Sequence, residues 1–268
     1  MKMIIFAIAL FAGLTSAADF SFRAVGEYGL VNVMSHKVQL GNPGTYFDYV
    51  NEGGQEVLYP FGRYSVEMDV GKKNTFILLY QPLLIESQYY LKRDVVFNGI
   101  TYPDSTGLNS VYSFPFYRAS YLRELMVDNP KMKLAVGLTL QIRNALLSFE
   151  STDGSRFTSN AGIGLVPAFK VRGKRIFGER FYAELEADGI YAPVSYLNGS
   201  DNEIVGAILD ASVRAGAKVN KPGTVFINLR YLGGGATGTS TRDIWPGDGY
   251  VKNWLHFLTF SAGVIVDL

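Results

Sequence analysis

Apolar and polar residues alternate with a period of two along most of this chain, most clearly between Trp254 and Leu268. Leu258, Phe260, Ala262, Val264, Val266 and Leu268 share one parity, while Thr259, Ser261, Gly263 and Asp267 hold most of the other. Successive side chains of a strand point to opposite faces, so this pattern predicts a strand with one apolar face. Left unpaired, such a strand would recruit other chains. A barrel removes the problem by closing its last strand onto its first.

The same rule marks ten segments in all. They are Phe20 to Met34, Phe61 to Val70, Thr75 to Leu83, Ser110 to Met126, Lys133 to Arg143, Ala161 to Arg172, Phe181 to Pro193, Gly206 to Val219, Val225 to Gly233, and Trp254 to Leu268. No segment has the period of an amphipathic helix. The connections sort by length. Those after odd strands include long excursions: Ser35 to Glu56, Ile85 to Asn109 and Gly234 to Asn253. Those after even strands are tight turns such as Gly71-Lys72-Lys73-Asn74 and Lys221-Pro222-Gly223. The second excursion has room for a short hairpin at Asn98-Gly99. An up-and-down antiparallel barrel of ten strands, with eight or twelve as alternatives, puts all long loops at one end and all short turns at the other.

The chain opens with Lys2, an apolar run from Ile4 to Leu14, and Thr15-Ser16-Ala17-Ala18. A basic start, a short apolar run and small residues at the exit describe a secretory signal peptide. The expected division is therefore a signal peptide over 1–18 and a single barrel domain over 19–268. The run is too short for a spanning helix, which needs about twenty residues.

Composition refines this picture. The 268 residues contain no cysteine, which excludes disulfides and thiolate metal sites. Lys and Arg number 25 against 24 Asp and Glu, so no basic excess points to nucleic acid. The 17 Tyr, 18 Phe and 29 Gly fit a barrel with an apolar outside and a polar inside. They would also fit a soluble periplasmic barrel or sandwich, but such a protein has no reason to sort its loops by end.

The signal segment, the alternating strands and the final Leu258-to-Leu268 pattern together resemble Gram-negative outer-membrane β-barrel proteins as a general class. The usual terminal Phe of that class is replaced here by Leu268. The resemblance implies residence in the outer membrane beside lipid and lipopolysaccharide, and recognition of the C-terminal strand by the barrel-assembly machinery.

With the apolar faces turned to lipid, the opposite faces line the lumen. The expected lining is Arg23, Glu27, Arg63, Glu67, Asp69, Arg118, Glu124, Gln141, Arg143, Lys170, Arg172, Glu184, Glu186, Asp188, Asp210, Arg214, Asn228 and Arg230. Both signs are well represented, and charges confined there should pair. Two readings follow: a structural or surface-binding barrel with a charge-filled lumen, or a narrow passive pore for small solutes.

A third reading is an outer-membrane hydrolase or acyltransferase with a histidine at its outer rim. The only histidines are His36 and His256, near the outer ends of the first and last strands, with Ser35, Asp243 and Asp248 as companions by position. The parity of His256 matches that of Leu258 and Phe260, toward lipid, which disfavours catalysis. No phosphate loop, zinc spacing or nucleophile elbow occurs. No cofactor or metal is expected, and Asp201, Asn202 and Glu203 read as a solvated loop rather than a calcium site. Tyr46, Phe47, Tyr49, Tyr89, Tyr90, Tyr112 and Phe114 lie in or beside the long excursions, where a membrane-interface girdle is the simplest expectation, with recognition of a surface ligand as the alternative.

Overall fold

The computed structural model describes residues 19–193, 204–220, 223–239 and 248–268. The signal segment, Asp201 to Glu203, Asp243 and Trp245 lie outside these residues. Every regular element described is a strand: β1 (Phe20–Leu40), β2 (Phe47–Asp48), β3 (Leu58–Val70), β4 (Asn74–Gln81), β5 (Leu84–Tyr90), β6 (Val95–Phe97), β7 (Ile100–Tyr102), β8 (Gly107–Ser113), β9 (Phe116–Glu124), β10 (Met132–Ser151), β11 (Phe157–Phe177), β12 (Phe181–Pro193), β13 (Val205–Asn220), β14 (Gly223–Thr239) and β15 (Tyr250–Asp267).

Ten of these form a closed antiparallel wall in the order β1, β3, β4, β9, β10, β11, β12, β13, β14, β15. Closure comes from β15 against β1, paired from Arg23↔Asp267 to Leu40↔Val251. Each wall strand therefore has a neighbour on both sides, and no edge is left in the barrel. Its outer face is apolar: Leu134, Val136, Leu138, Leu140 and Ile142 are exposed, whereas Ala135, Thr139 and Gln141 between them are buried. On β15, Phe260 and Val264 are exposed while Thr259 and Ser261 are buried. An apolar belt that runs round the whole wall is what a lipid-facing barrel presents.

Several strands run further than the alternation alone predicts. β10 and β11 continue to Ser151 and back from Phe157, and β14 carries on through Gly233-Gly234-Gly235 to Thr239. Those glycines look like a loop in sequence, yet they pair in register with His256, Leu255 and Trp254. Glycine suits them because the space is taken: a Cβ on Gly235 would stand 1.9 Å from the Asn253 carbonyl oxygen, and one on Gly233 2.2 Å from the Tyr231 hydroxyl. The segment from Ser110 to Met126 is split instead of continuous. Pro82 and Pro115 interrupt neighbouring strands at one level, since proline offers no ladder donor. The ladder resumes above them through Phe114 N–H to the Leu83 carbonyl, 2.8 Å, with β5 paired to β8 and β8 to β10.

The end that carries the long connections is filled. Residues 41–57 fold inward with β2, and β6 and β7 form a hairpin that closes at Asn98 and Gly99, with φ of 48° and 79°. Two successive positive φ values are the requirement of a tight two-residue hairpin turn, which Asn-Gly meets. This hairpin is tied to the wall and to its neighbour through Asn98 N–H to the Leu40 carbonyl (3.1 Å) and Thr45 N–H to the Val96 carbonyl (2.8 Å). Phe97 stacks on Phe149 with ring centroids 3.6 Å apart, Phe47 packs edge-on against Phe97, and the Tyr102 hydroxyl donates to the Phe149 carbonyl at 3.1 Å. The expectation of a surface girdle fails for Phe47, Tyr49, Tyr112 and Phe114, which are buried in this cluster. Each fully buried aromatic stabilises the plug by about 1.5–3 kcal/mol, more than an exposed loop could recover. Tyr46 and Tyr90 alone of that group are well exposed, and Tyr89 is half-buried.

A bulge between Val33 and Ser35 reorders the first strand. Below it Glu27, Val31 and Val33 point inward; above it His36, Val38 and Leu40 do so. One extra residue changes the inward parity from odd to even.

Candidate functional site

Below the plug the lumen is crossed by charged side chains. Asp210 on β13 is fully buried and accepts from three arginines. Arg118 Nη1 reaches its Oδ2 at 2.7 Å, Arg63 Nη1 reaches the same oxygen at 3.4 Å, and Arg230 Nη1 takes Oδ1. Arg118 lies on β9 and Arg63 on β3, each four positions round the wall from β13, so these pairs span the lumen. Asp188 on β12 accepts from Arg118 (3.2 Å), from Lys170 (2.8 Å) and from the Thr139 hydroxyl (2.6 Å). Gln141 Oε1 accepts from Arg118 Nη2 at 2.7 Å, and Gln81 Oε1 from Arg63 Nη1 at 2.7 Å.

A second tier lies nearer the turn end. Arg172 on β11 donates to Glu67 on β3 (2.9 Å) and to Glu186 on β12 (2.7 Å), again across the lumen. Arg23 Nη2 donates to Glu67 at 2.8 Å and its Nη1 pairs with Asp69. Glu27 accepts from Asn228 at 2.8 Å and from Ser261, and its other oxygen lies 3.6 Å from Arg214, which also pairs with Glu184 at 3.2 Å. Isolated charges would not persist in so confined a space; the alternation of signs across the lumen is what lets them remain.

Sixteen of the lumen-face positions are thus brought into or beside two layers, with Glu124 and Arg143 at the margins. Glu124 sits at a turn, where its Oε1 accepts from the backbone N–H groups of Met126 and Leu134, both at 2.9 Å. It borders a vestibule of about 510 Å³ at the turn end, shared with Arg23, Asp69, Lys174 and Asp267. Arg143 stands above the network, over Gly164, and makes no ion pair among the described residues.

The two histidines stand one ladder position apart but on opposite faces of the wall. Ser35 pairs with His256 and His36 with Leu255 in the β1–β15 ladder. His36 points inward and is fully buried, stacked on Tyr49 with centroids 4.5 Å apart and hydrogen-bonded to Gln55 at 2.9 Å. His256 points outward and shares a hydrogen bond with the Tyr231 hydroxyl. The rim histidine expected at position 36 is therefore an interior residue of the plug, placed there by the bulge. Asp248 accepts from the N–H groups of Asn42 (2.8 Å) and Tyr250 (3.0 Å), pinning a loop. In the plug, Asp48 accepts from Val50 and Asn51 and lies 3.5 Å from Lys37. Burial opposes its charge, but these donors outweigh burial and hold the carboxyl below its ordinary range. Burial pushes the Tyr102 phenol up to about 12, so it stays neutral as a donor.

Sequence reasoning missed the plug and a cavity of about 350 Å³ beside it, lined largely by apolar side chains of β11 to β15. The single sequence signal for the plug was the Asn98-Gly99 turn flanked by Val-Val-Phe and Ile-Thr-Tyr.

By sequence, the chain matches no family model and no curated protein. Solved structures match it at low identity. The outer-membrane protease OmpT from Escherichia coli is 11% identical with a TM-score of 0.56, over 95% of this chain and 99% of that one. A FadL homologue of Pseudomonas aeruginosa is 9% identical with a TM-score of 0.41, over 92% of this chain and 90% of the other. Ail, the attachment invasion locus protein of Yersinia pestis, is 9% identical with a TM-score of 0.35, over 91% and 98%. The chain has the fold of Gram-negative outer-membrane β-barrel proteins.

Proposed function

We propose that this chain is an outer-membrane barrel with a shut lumen, serving as a structural or ligand-binding protein rather than a diffusion pore. The observation that carries this reading is the pairing of Arg118 and Arg63 with Asp210 across the lumen, capped by the aromatic plug. A conducting path would have to open both. In this reading the turn end faces the periplasm, the plugged end faces outward, and the apolar belt meets lipid and lipopolysaccharide. The C-terminal strand presents Phe260 to Leu268 to the assembly machinery.

The hydrolase alternative has less support. A histidine mechanism needs an accessible imidazole beside a nucleophile or carboxylate. His36 is walled in by Tyr49 and Tyr112, and His256 faces outward beside Tyr231. The likeness to a protease extends to the fold alone.

Planar-bilayer recording tests the reading. The purified barrel should give no stable openings at neutral pH. Steady unitary conductance whose ion selectivity changes in Arg118→Met would establish the narrow pore instead. Localisation is tested by fractionation in a Gram-negative host: the chain should sediment with the outer membrane and migrate anomalously on gels until heated. Recovery as a detergent-free monomer would end it.

A further inference from the structure

The cavity of about 350 Å³ lies between the plug and the strands opposite it, above the charge layers. Its walls are mainly apolar, with Phe114, Ile190, Ile208, Leu232 and Leu255 prominent. Interiors normally pack without voids of this size, and ligand chambers start at about 300 Å³. β13 and β14 leave the space by lining it with Gly206, Gly233, Gly234 and Gly235, which carry no side chain to fill it.

The floor of the cavity is polar in one particular way. Gln141 is 2% exposed; its Oε1 is used by Arg118, and its Nε2 has no hydrogen-bond partner. Tyr112 is fully buried and its hydroxyl is also unpartnered. Arg143 lines the same cavity, its Nε unpartnered and its charge unmatched by any ion pair among the described residues. Among the described residues no Asp or Glu lines the cavity. Donors and one cation thus converge beneath an apolar chamber, beside a single amide acceptor, the unpartnered Oδ1 of Asn253. A buried donor without a partner is costly, so this boundary fits a guest that brings acceptors.

We infer that the cavity binds an amphipathic small molecule with an apolar body and a carboxylate head, the head seated at Arg143, Gln141 Nε2 and the Tyr112 hydroxyl. The body would lie along Ile208 and Leu232. A straight-chain carboxylate of about ten carbons is of the size such a chamber holds. This inference does not depend on whether the lumen conducts.

Calorimetry on the full barrel in lipid nanodiscs, with empty discs subtracted, provides the test. Decanoate should bind saturably at one site per barrel, and decanol at least tenfold more weakly. Arg143→Gln should weaken decanoate at least tenfold and decanol far less. Ile208→Trp, which fills the chamber, should abolish both. Heat-modifiable migration checks that each variant is assembled, and Arg143→Gln keeps the test decisive should the larger substitution fail to fold. Equal affinity for decanoate and decanol, binding indifferent to Arg143→Gln in an assembled barrel, or no saturable decanoate binding would each overturn the assignment.

Discussion

Asp188 and Asp210 stand directly opposite each other in the β12–β13 ladder, both buried, and a single nitrogen of Arg118 reaches the two of them at 3.2 and 2.7 Å. Like charges at facing positions repel, so the ladder at this level needs the cations round it: Lys170 and Arg230 from the adjacent strands, and Arg118 and Arg63 from the far wall. Arg118→Met keeps most of the side-chain volume and removes the cation. We expect it to destabilise the barrel by about 3–5 kcal/mol, the usual cost of breaking a buried pair. Reversible urea unfolding in lipid vesicles would measure this. Adding Asp210→Asn should recover part of the loss, since it removes one of the two facing carboxylates.

The lipid-facing parity of β15 makes a contrasting prediction. Phe260 is 62% exposed near the middle of the strand, and Ser261 beside it is buried. Phe260→Arg should destabilise by about 2–4 kcal/mol, the cost of a cation at mid-membrane, and should lower the amount assembled in cells. Asp267→Lys, at the strand end, should change assembly little. Similar losses in both would contradict the assigned faces.

The plug should respond to truncation as a packed core does. Phe97→Ala removes a ring stacked on Phe149 and should cost about 3–5 kcal/mol locally. Because the barrel wall is built independently, we expect heat-modifiable migration to survive. Protease cleavage between Leu91 and Thr106 should appear in the variant and be absent from the parent chain.

Asp48 gives the plug a pH dependence whose sign is fixed. Its folded carboxyl titrates below the ordinary value. The stability it lends is therefore complete above the ordinary aspartate range and is lost as the pH falls through the lowered folded value. Amide exchange of residues 45–55 should be flat above about pH 5 and quicken, after correction for intrinsic exchange, as acid is added. In Asp48→Asn this acid step should be missing.

The wall strands were legible because lipid outside and polar groups inside enforce a strict two-residue period, as in Leu134 to Ile142. That constraint ends where the wall leaves the apolar belt. Above it, β10 and β14 continue with both faces partly polar or glycine-rich, so Gly233 to Gly235 look like a turn although they are paired. The plug was less legible still. Phe47, Tyr49 and Phe97 lie in segments too short to show a period, amid Gly, Asn and Asp, and their burial depends on Phe149, far away in the chain. His36 was not legible as a plug residue for a different reason: the alternation from Phe20 ends at Met34, and nothing in it shows the bulge that turns His36 inward.

The one-residue offset after Val33 also bears on how this protein can change over time. In most of β1, losing or gaining a single residue would turn every later side chain to the wrong side of the wall, sending His36, Val38 and Leu40 out and Lys37 and Gln39 in. At Met34 the strand already carries an odd count, so the lower and upper portions keep separate reading frames. Loss of the extra residue there would throw the aromatic ceiling out of phase while leaving the charged floor in place. The bulge is the joint that allows two interiors of opposite chemistry to share a single strand.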